Sequence, residues 1–183
     1  MTGVLVTGFE PFGGSEVNPS QEIARELGGI VLPVSYARAA DALRAAVRAA
    51  GPAVVICFGQ ADREEISVER FALNLDGAES EDNDGAVSAA EIDRDGPVAY
   101  RSTLPVDEVV AAVRAEGIPA GPSRDAGGFL CNHVFYVLMR LLDQELPEAA
   151  GGFVHVPAGM PLEQVLRAAR VIVQTCAPLR SPS

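Results

Sequence analysis

Cys131 and His133, two positions apart in GGFLCNHVFY, are the first residues of this chain whose types suggest joint chemistry. A thiol becomes a nucleophile when a base takes its proton or its surroundings favour the thiolate. Cys131 follows Gly127-Gly128 and opens an apolar helical run, and the free N–H groups of a helix start favour an anion there. Most single cysteines are inert packing; Cys57, inside VVICFG, and Cys176, in the last helical run, are read that way. His133 is a poor base for Cys131, because two positions along a helix are about 200° apart. The chain's other histidine, His155, is central in the strand-like GGFVHVP. Alternation there puts Phe153, His155 and Pro157 on one face and Val154 and Val156 on the other. A third group must orient the imidazole. Glu69, in ISVERFALN, is the acid most embedded in apolar sequence, on the face of Phe71 and Leu73. Carboxylates are rarely buried without a partner, although a nearby arginine could equally be that partner.

These residues need elements to carry them. VLVTGF (4–9) reads as a buried strand, followed by the loop EPFGGSEV. Asn18-Pro19-Ser20-Gln21 reads as a helix start with Asn18 as N-cap, and that helix ends at Gly28-Gly29. IVLPVSY (30–36) is expected as an edge strand because Pro33 lacks a ladder donor. ARAADALRAAVRAA (37–50) is helical and stopped by Gly51-Pro52; VVICFG (54–59) is a buried strand. ISVERFALNL (66–75) alternates like a strand or hairpin arm. Residues 76–96 hold eight acids and one arginine without apolar periodicity, and are expected to form a flexible, solvated loop. Helices are expected over 105–117, over 132–146 with Phe135, Leu138, Leu142 and Leu146 on one face, and over 162–177; FVHVP (153–157) is a strand. Strands alternating with helices predict an α/β fold: one domain over 1–183, with an open twisted, largely parallel sheet and helices on both faces, a three-layer sandwich.

Composition narrows the function classes. The net charge is −11, from 14 basic and 25 acidic residues, and no Lys/Arg cluster marks a nucleic-acid or anionic-membrane partner. Three widely spaced cysteines make neither a disulfide framework nor a zinc pattern. The expected setting is the reducing cytoplasm, without a signal peptide or membrane span. GFEPFGG has neither G-x-G-x-x-G nor a Walker lysine, which argues against a phosphate-binding loop.

In order along nearly the whole chain come Gly8-Phe9-Glu10-Pro11-Phe12-Gly13-Gly14, Asn18-Pro19-Ser20, Gly59-Gln60-Ala61, Ile66-Ser67-Val68-Glu69-Arg70, Ala72-Leu73-Asn74, Asp82-Asn83-Asp84-Gly85, Phe129-Leu130-Cys131-Asn132-His133 and Gly151-Gly152-Phe153-Val154-His155-Val156-Pro157. Together they closely resemble the pyroglutamyl peptidase I family of cysteine peptidases. The resemblance implies a Cys–His–Glu triad falling on Cys131, His155 and Glu69, with no metal and no cofactor. It also implies a cytoplasmic homo-oligomer, a dimer or tetramer. The implied substrates are peptides with an N-terminal pyroglutamyl residue, cleaved through a thioester. By the same resemblance Phe9, Phe12, Phe129 and Leu130 would wall the pocket, and the chain near Gln60 would meet the lactam.

The chain also departs from the family. Ala78-Glu79-Ser80-Glu81-Asp82-Asn83 stands where relatives commonly read A-R-I-P-D-N, so Glu79 reverses a charge. One residue fewer separates Gln60 from Glu69, and the segment after Val156 lacks part of a usual insertion. These changes motivate the alternative of a weakened or non-catalytic member of the fold that binds a small lactam or peptide.

Overall fold

The computed structural model describes residues 3–77, 80–88 and 90–177. β1 (Val4–Phe9) and β3 (Val54–Ala61) are short runs of β-branched and apolar residues, as expected of strands covered on both faces. Between them lie α1 (Pro19–Glu26), β2 (Ile30–Leu32) and α2 (Tyr36–Ala50). Only four residues, 62–65, separate β3 from β4 (Ile66–Glu69), too few for a crossover, so β4 runs opposite to β3. β5 (Phe71–Leu73) and β6 (Ala99–Arg101) form a separate antiparallel ribbon. The chain then continues through α3 (Val106–Ala115), β7 (Ala120–Ser123), α4 (Leu130–Glu145), β8 (Ala150–Pro157) and α5 (Leu162–Cys176).

The main sheet has the order β2-β1-β3-β8-β4-β7. β8 fills the gap between β3 and β4, parallel to β3 from Val54↔Ala150 to Ala61↔Pro157 and antiparallel to β4 at Ser67↔His155. The other neighbours are parallel. The expected largely parallel α/β sheet is therefore present, with one antiparallel seam at the strand that carries His155.

Two apolar layers cover the sheet. Leu43 and Val47 of α2 and Phe135, Leu138 and Leu142 of α4 pack with Phe153 on one face. Ile23, Val109, Val113, Val165 and Ile172 of α1, α3 and α5 pack with Val154 and Val156 on the other. The alternation read in GGFVHVP is thus the partition between two cores. Among the described residues, no helix is long and apolar enough to cross a membrane.

Several boundaries differ from the sequence reading. The run from 66 to 75 breaks at Arg70: β4 joins the main sheet and β5 the ribbon, so Glu69, fully buried, does not share a face with the 42% exposed Leu73. The 30–36 segment is an edge strand only to Leu32, because Ser35 caps α2 by accepting from the Arg38 N–H. α4 begins at Leu130 rather than Asn132, which places Cys131 inside the first turn. β6 and β7 were not foreseen.

Candidate active site

The C-terminal ends of parallel strands are where α/β sheets build their sites, and here β1, β3 and β8 end together. Asn18 caps α1 through its Oδ1, which accepts from the Ser20 N–H at 3.0 Å and the Ser20 hydroxyl at 2.7 Å. Ser20 Oγ in turn accepts from the Phe9 N–H at 3.0 Å. This close approach of α1 to β1 requires Gly8, since a Cβ there would lie 1.8 Å from the Ser20 carbonyl oxygen. The cap therefore fixes the strand end from which Phe9 projects.

His155 and Glu69 meet across the antiparallel seam. Ser67 is registered with His155, so Glu69 lies on the same sheet face, diagonal to it. His155 Nδ1 is 2.7 Å from Glu69 Oε1. Glu69 is completely buried and His155 is 3% exposed. Bonding through Nδ1 leaves Nε2 as the ring nitrogen available for proton transfer.

Cys131 reaches the pair from α4, in the helix layer that covers this face of the sheet. Gly59 is registered with His155 on the adjacent strand, and a Cβ on Gly59 would come within 2.8 Å of Cys131 Sγ and 2.7 Å of Phe153 Cζ. The missing side chain is the space the sulfur uses. Cys131 is half-buried, and no hydrogen bond joins its thiol to the imidazole among the described residues; both face one cavity. His133 is the first residue of α4 whose N–H meets a carbonyl one turn back, at 3.2 Å from Phe129 O. The N–H groups of Leu130, Cys131 and Asn132 have no such partner in the helix.

The cavity is about 220 Å³. Phe9, Phe12, Phe129 and Leu130 line it with Gln60, Cys131 and His155, as the sequence reading expects. Val34, Asn18 and the Gly127-Gly128 turn complete the wall, and no carboxylate appears among the lining residues. Glu69 stands behind His155 rather than in the cavity. Asn18 had been read only as a cap; its second position on the wall leaves no trace in local sequence.

Burial governs the titration of the site. The enclosed surroundings push the Cys131 thiol up to about 12, with the Glu69 charge adding and Arg63 opposing. The expected lowering by the helix start is therefore outweighed, because an ionised sulfur would lose most of its water. Burial also lowers His155, against the opposing bond and charge of Glu69. Both directions favour the neutral thiol and the neutral imidazole.

His133 is turned away, as the helical rotation predicts. It bonds outside its helix, however, with Nδ1 2.9 Å from Asp76 Oδ2. The Tyr36 ring stands edge-on to both His133 and Phe129, at centroid distances of 5.3 and 5.7 Å. The acidic segment is less solvated than its composition suggests, since Asp76 and Asp82 are buried. Asp82 accepts N–H groups from Tyr36, Asp84 and Ala86, and these bonds outweigh burial to hold its carboxyl below the usual range. Asn83 donates to Glu10 Oε1 and the Pro11 carbonyl, tying this segment to the loop that carries Phe12. Glu79 lies outside the described residues.

Comparison with known proteins identifies the family and the fold. The profile of the pyroglutamyl peptidase family matches residues 2–174. The pyrrolidone-carboxylate peptidase of Streptomyces coelicolor is 47% identical over 169 residues, 86% of this chain and 78% of that one. The corresponding protein of Klebsiella pneumoniae is 45% identical over 170 residues, with 86% and 78% covered. The crystal structure of pyroglutamyl peptidase I from Bacillus amyloliquefaciens superposes with a TM-score of 0.93 at 36% identity, covering 96% of this chain and 95% of that one. The pyrrolidone carboxyl peptidase of Thermococcus litoralis gives 0.93 at 35% identity, covering 97% and 94%. The chain belongs to the pyroglutamyl peptidase family of cysteine peptidases.

Proposed function

We propose that this chain hydrolyses the N-terminal pyroglutamyl residue from peptides, with Cys131 as nucleophile, His155 as general base and acid, and Glu69 as the group that orients the imidazole. The observation that carries the reading is a thiol and a carboxylate-bound histidine facing one small apolar cavity. Pyroglutamate is a neutral lactam without an α-ammonium group, so it suits phenylalanine walls that offer no carboxylate to a charged amine. Gln60 is the lining amide available to its ring, since Asn18 is already held by Ser20 and the Glu10 carbonyl.

In the first half-reaction His155 Nε2 takes the thiol proton as Cys131 Sγ bonds to the pyroglutamyl carbonyl carbon. The resulting oxyanion is met by the N–H groups of the first turn of α4, each worth about 3 kcal/mol in sites of this kind. The C–N bond breaks as Nε2 returns the proton to the leaving amine, and a thioester remains. Water then attacks the thioester while giving a proton to Nε2. The C–S bond breaks, 5-oxoproline leaves, and the sulfur recovers the proton. Glu69 stays a carboxylate throughout and stabilises the imidazolium.

The decisive comparison uses a pyroglutamyl arylamide and its prolyl counterpart. The reduced wild-type protein is expected to release the arylamine from the first and not the second, and Cys131→Ser to lower turnover by at least about 10³-fold. Wild-type protein without turnover would favour the non-catalytic alternative. A cytoplasmic homo-oligomer is part of the same reading, and sedimentation equilibrium tests the assembly.

A further inference from the structure

Glu69 is a completely buried carboxylate, yet its hydrogen bonding is lopsided. Oε1 bonds His155 Nδ1 at 2.7 Å and makes an ion pair with Arg63 Nη1 at 3.0 Å. Oε2 has no partner among the described residues. The pose of the carboxylate therefore depends on one hydrogen bond and one ion pair at the same oxygen.

Arg63 occupies the short turn between β3 and β4 and keeps only 27% of its side chain exposed. The same Nη1 lies 3.0 Å from Ser123 Oγ at the end of β7, and Nη2 donates to the Asp125 carbonyl at 2.6 Å. Asp125 in turn accepts from the Gly127 N–H through Oδ1 at 2.8 Å, in the turn that leads to Phe129 and Cys131. One guanidinium thus joins the acid behind the imidazole to the loop that delivers the thiol.

We propose that Arg63 is a positioning residue for hydrolysis, fixing Glu69 behind His155 and anchoring the 125–128 turn in front of it. The inference rests on the catalytic reading above. A planar fork suits this task because it reaches a carboxylate, a hydroxyl and a carbonyl in set directions, which a lysine cannot do. The charge has a second effect. The groups facing the Cys131–His155 pair are Glu69 from β4, Arg63 from the β3–β4 turn, Cys57 from β3, Tyr36 from α2 and Asp125 from the loop before α4. Among them Arg63 is the cation, and it makes both the thiolate and the neutral imidazole easier to form.

Two variants separate geometry from charge, and alkylation of Cys131 provides a readout independent of any substrate. Cys57 and Cys176 are buried, so mass spectrometry of the Cys131 peptide after iodoacetamide treatment follows one thiol. In Arg63→Gln the rate of Cys131 alkylation at about pH 8–9 is expected to fall by about tenfold, since loss of a neighbouring cation lowers the thiolate fraction. The acid limb of kcat/KM should move up, and kcat should fall by about 10². Arg63→Lys keeps the charge and loses the fork, so its alkylation rate and acid limb should return close to wild type while kcat stays about tenfold down at unchanged KM. Equal alkylation rates for wild type and Arg63→Gln would overturn the electrostatic part, even if activity fell. Wild-type kcat in Arg63→Lys would overturn the positioning part, and that variant decides it if Arg63→Gln does not fold. A wild-type protein that alkylates normally but does not turn over substrate would instead fail the catalytic reading.

Discussion

At the scale of single residues, the site trades intrinsic reactivity for enclosure. Burial raises the thiol and lowers the imidazole, and both directions oppose a resting thiolate–imidazolium pair. The pH dependence follows with a definite sign. Activity is lost as pH falls and His155 protonates; because His155 lies below the ordinary imidazole value of 6.5, the acid limb of kcat/KM should also lie below it. In Glu69→Gln the bond and charge that raise His155 are gone, so the limb should move lower still while kcat/KM drops by about 10²–10⁴. A pH–rate profile of the two proteins checks both statements, and an upward move would contradict the assigned role of Glu69. The three side chains proposed for catalysis were legible as candidates because each sits in a distinctive local pattern: a glycine turn before a helix, the centre of a strand, an acid amid apolar neighbours. Arg63 was not. In ADREE it looks like a solvated turn residue, and the partners that define it are a distant serine and a backbone carbonyl.

At the scale of elements, β3 and α4 meet through what a glycine omits. A Gly59→Ala methyl would press on both Cys131 Sγ and the Phe153 ring. The expected result is a fall in kcat/KM of about 10² or more, with a melting temperature lower by several degrees, from forcing a methyl into a packed contact. An activity assay beside a thermal melt measures both. The strands that escaped the sequence reading have identifiable reasons. β7 is AGPS, whose glycine and proline oppose strand propensity, and it survives as an edge strand beside β4. β6 is three residues long and pairs only with β5. The break at Arg70 carries no proline or glycine; it appears only when β4 is drawn into the main sheet and Asn132 binds the next segment. The Asn132 side chain accepts from the Leu73 N–H and donates to the Leu73 and Leu75 carbonyls, a long-range tie that periodicity cannot disclose.

At the scale of the whole molecule, the alternating α and β pattern was enough for the three-layer architecture, because each helix has one apolar stripe and the central strands have two apolar faces. The sulfur content of these layers has a measurable consequence. Cys57 and Cys176 are fully buried in the two opposite cores, and burial pushes each thiol up to about 12. The unfolded chain releases these protons near pH 8.5. Between that value and about 12 the native state therefore binds more protons than the unfolded state, and stability falls as pH rises. Each thiol should contribute up to about 1.4 kcal/mol of loss per pH unit in this window. Urea unfolding under reducing conditions at pH 8 and pH 10.5 measures the slope. Cys176→Ala should be less stable at pH 8 but lose stability less steeply; an unchanged slope would remove Cys176 as a contributor.

The order β2-β1-β3-β8-β4-β7 also bears on how the chain is made. The strand between β3 and β4 is the last strand of the sheet to leave the ribosome. Until residue 157 has emerged, β3 and β4 each present an open row of backbone donors and acceptors, with apolar side chains on both faces of β3. Such edges are where nascent chains pair with the wrong partner. His155 arrives on the strand that closes this opening, so completion of the sheet and assembly of the histidine–glutamate pair are one event.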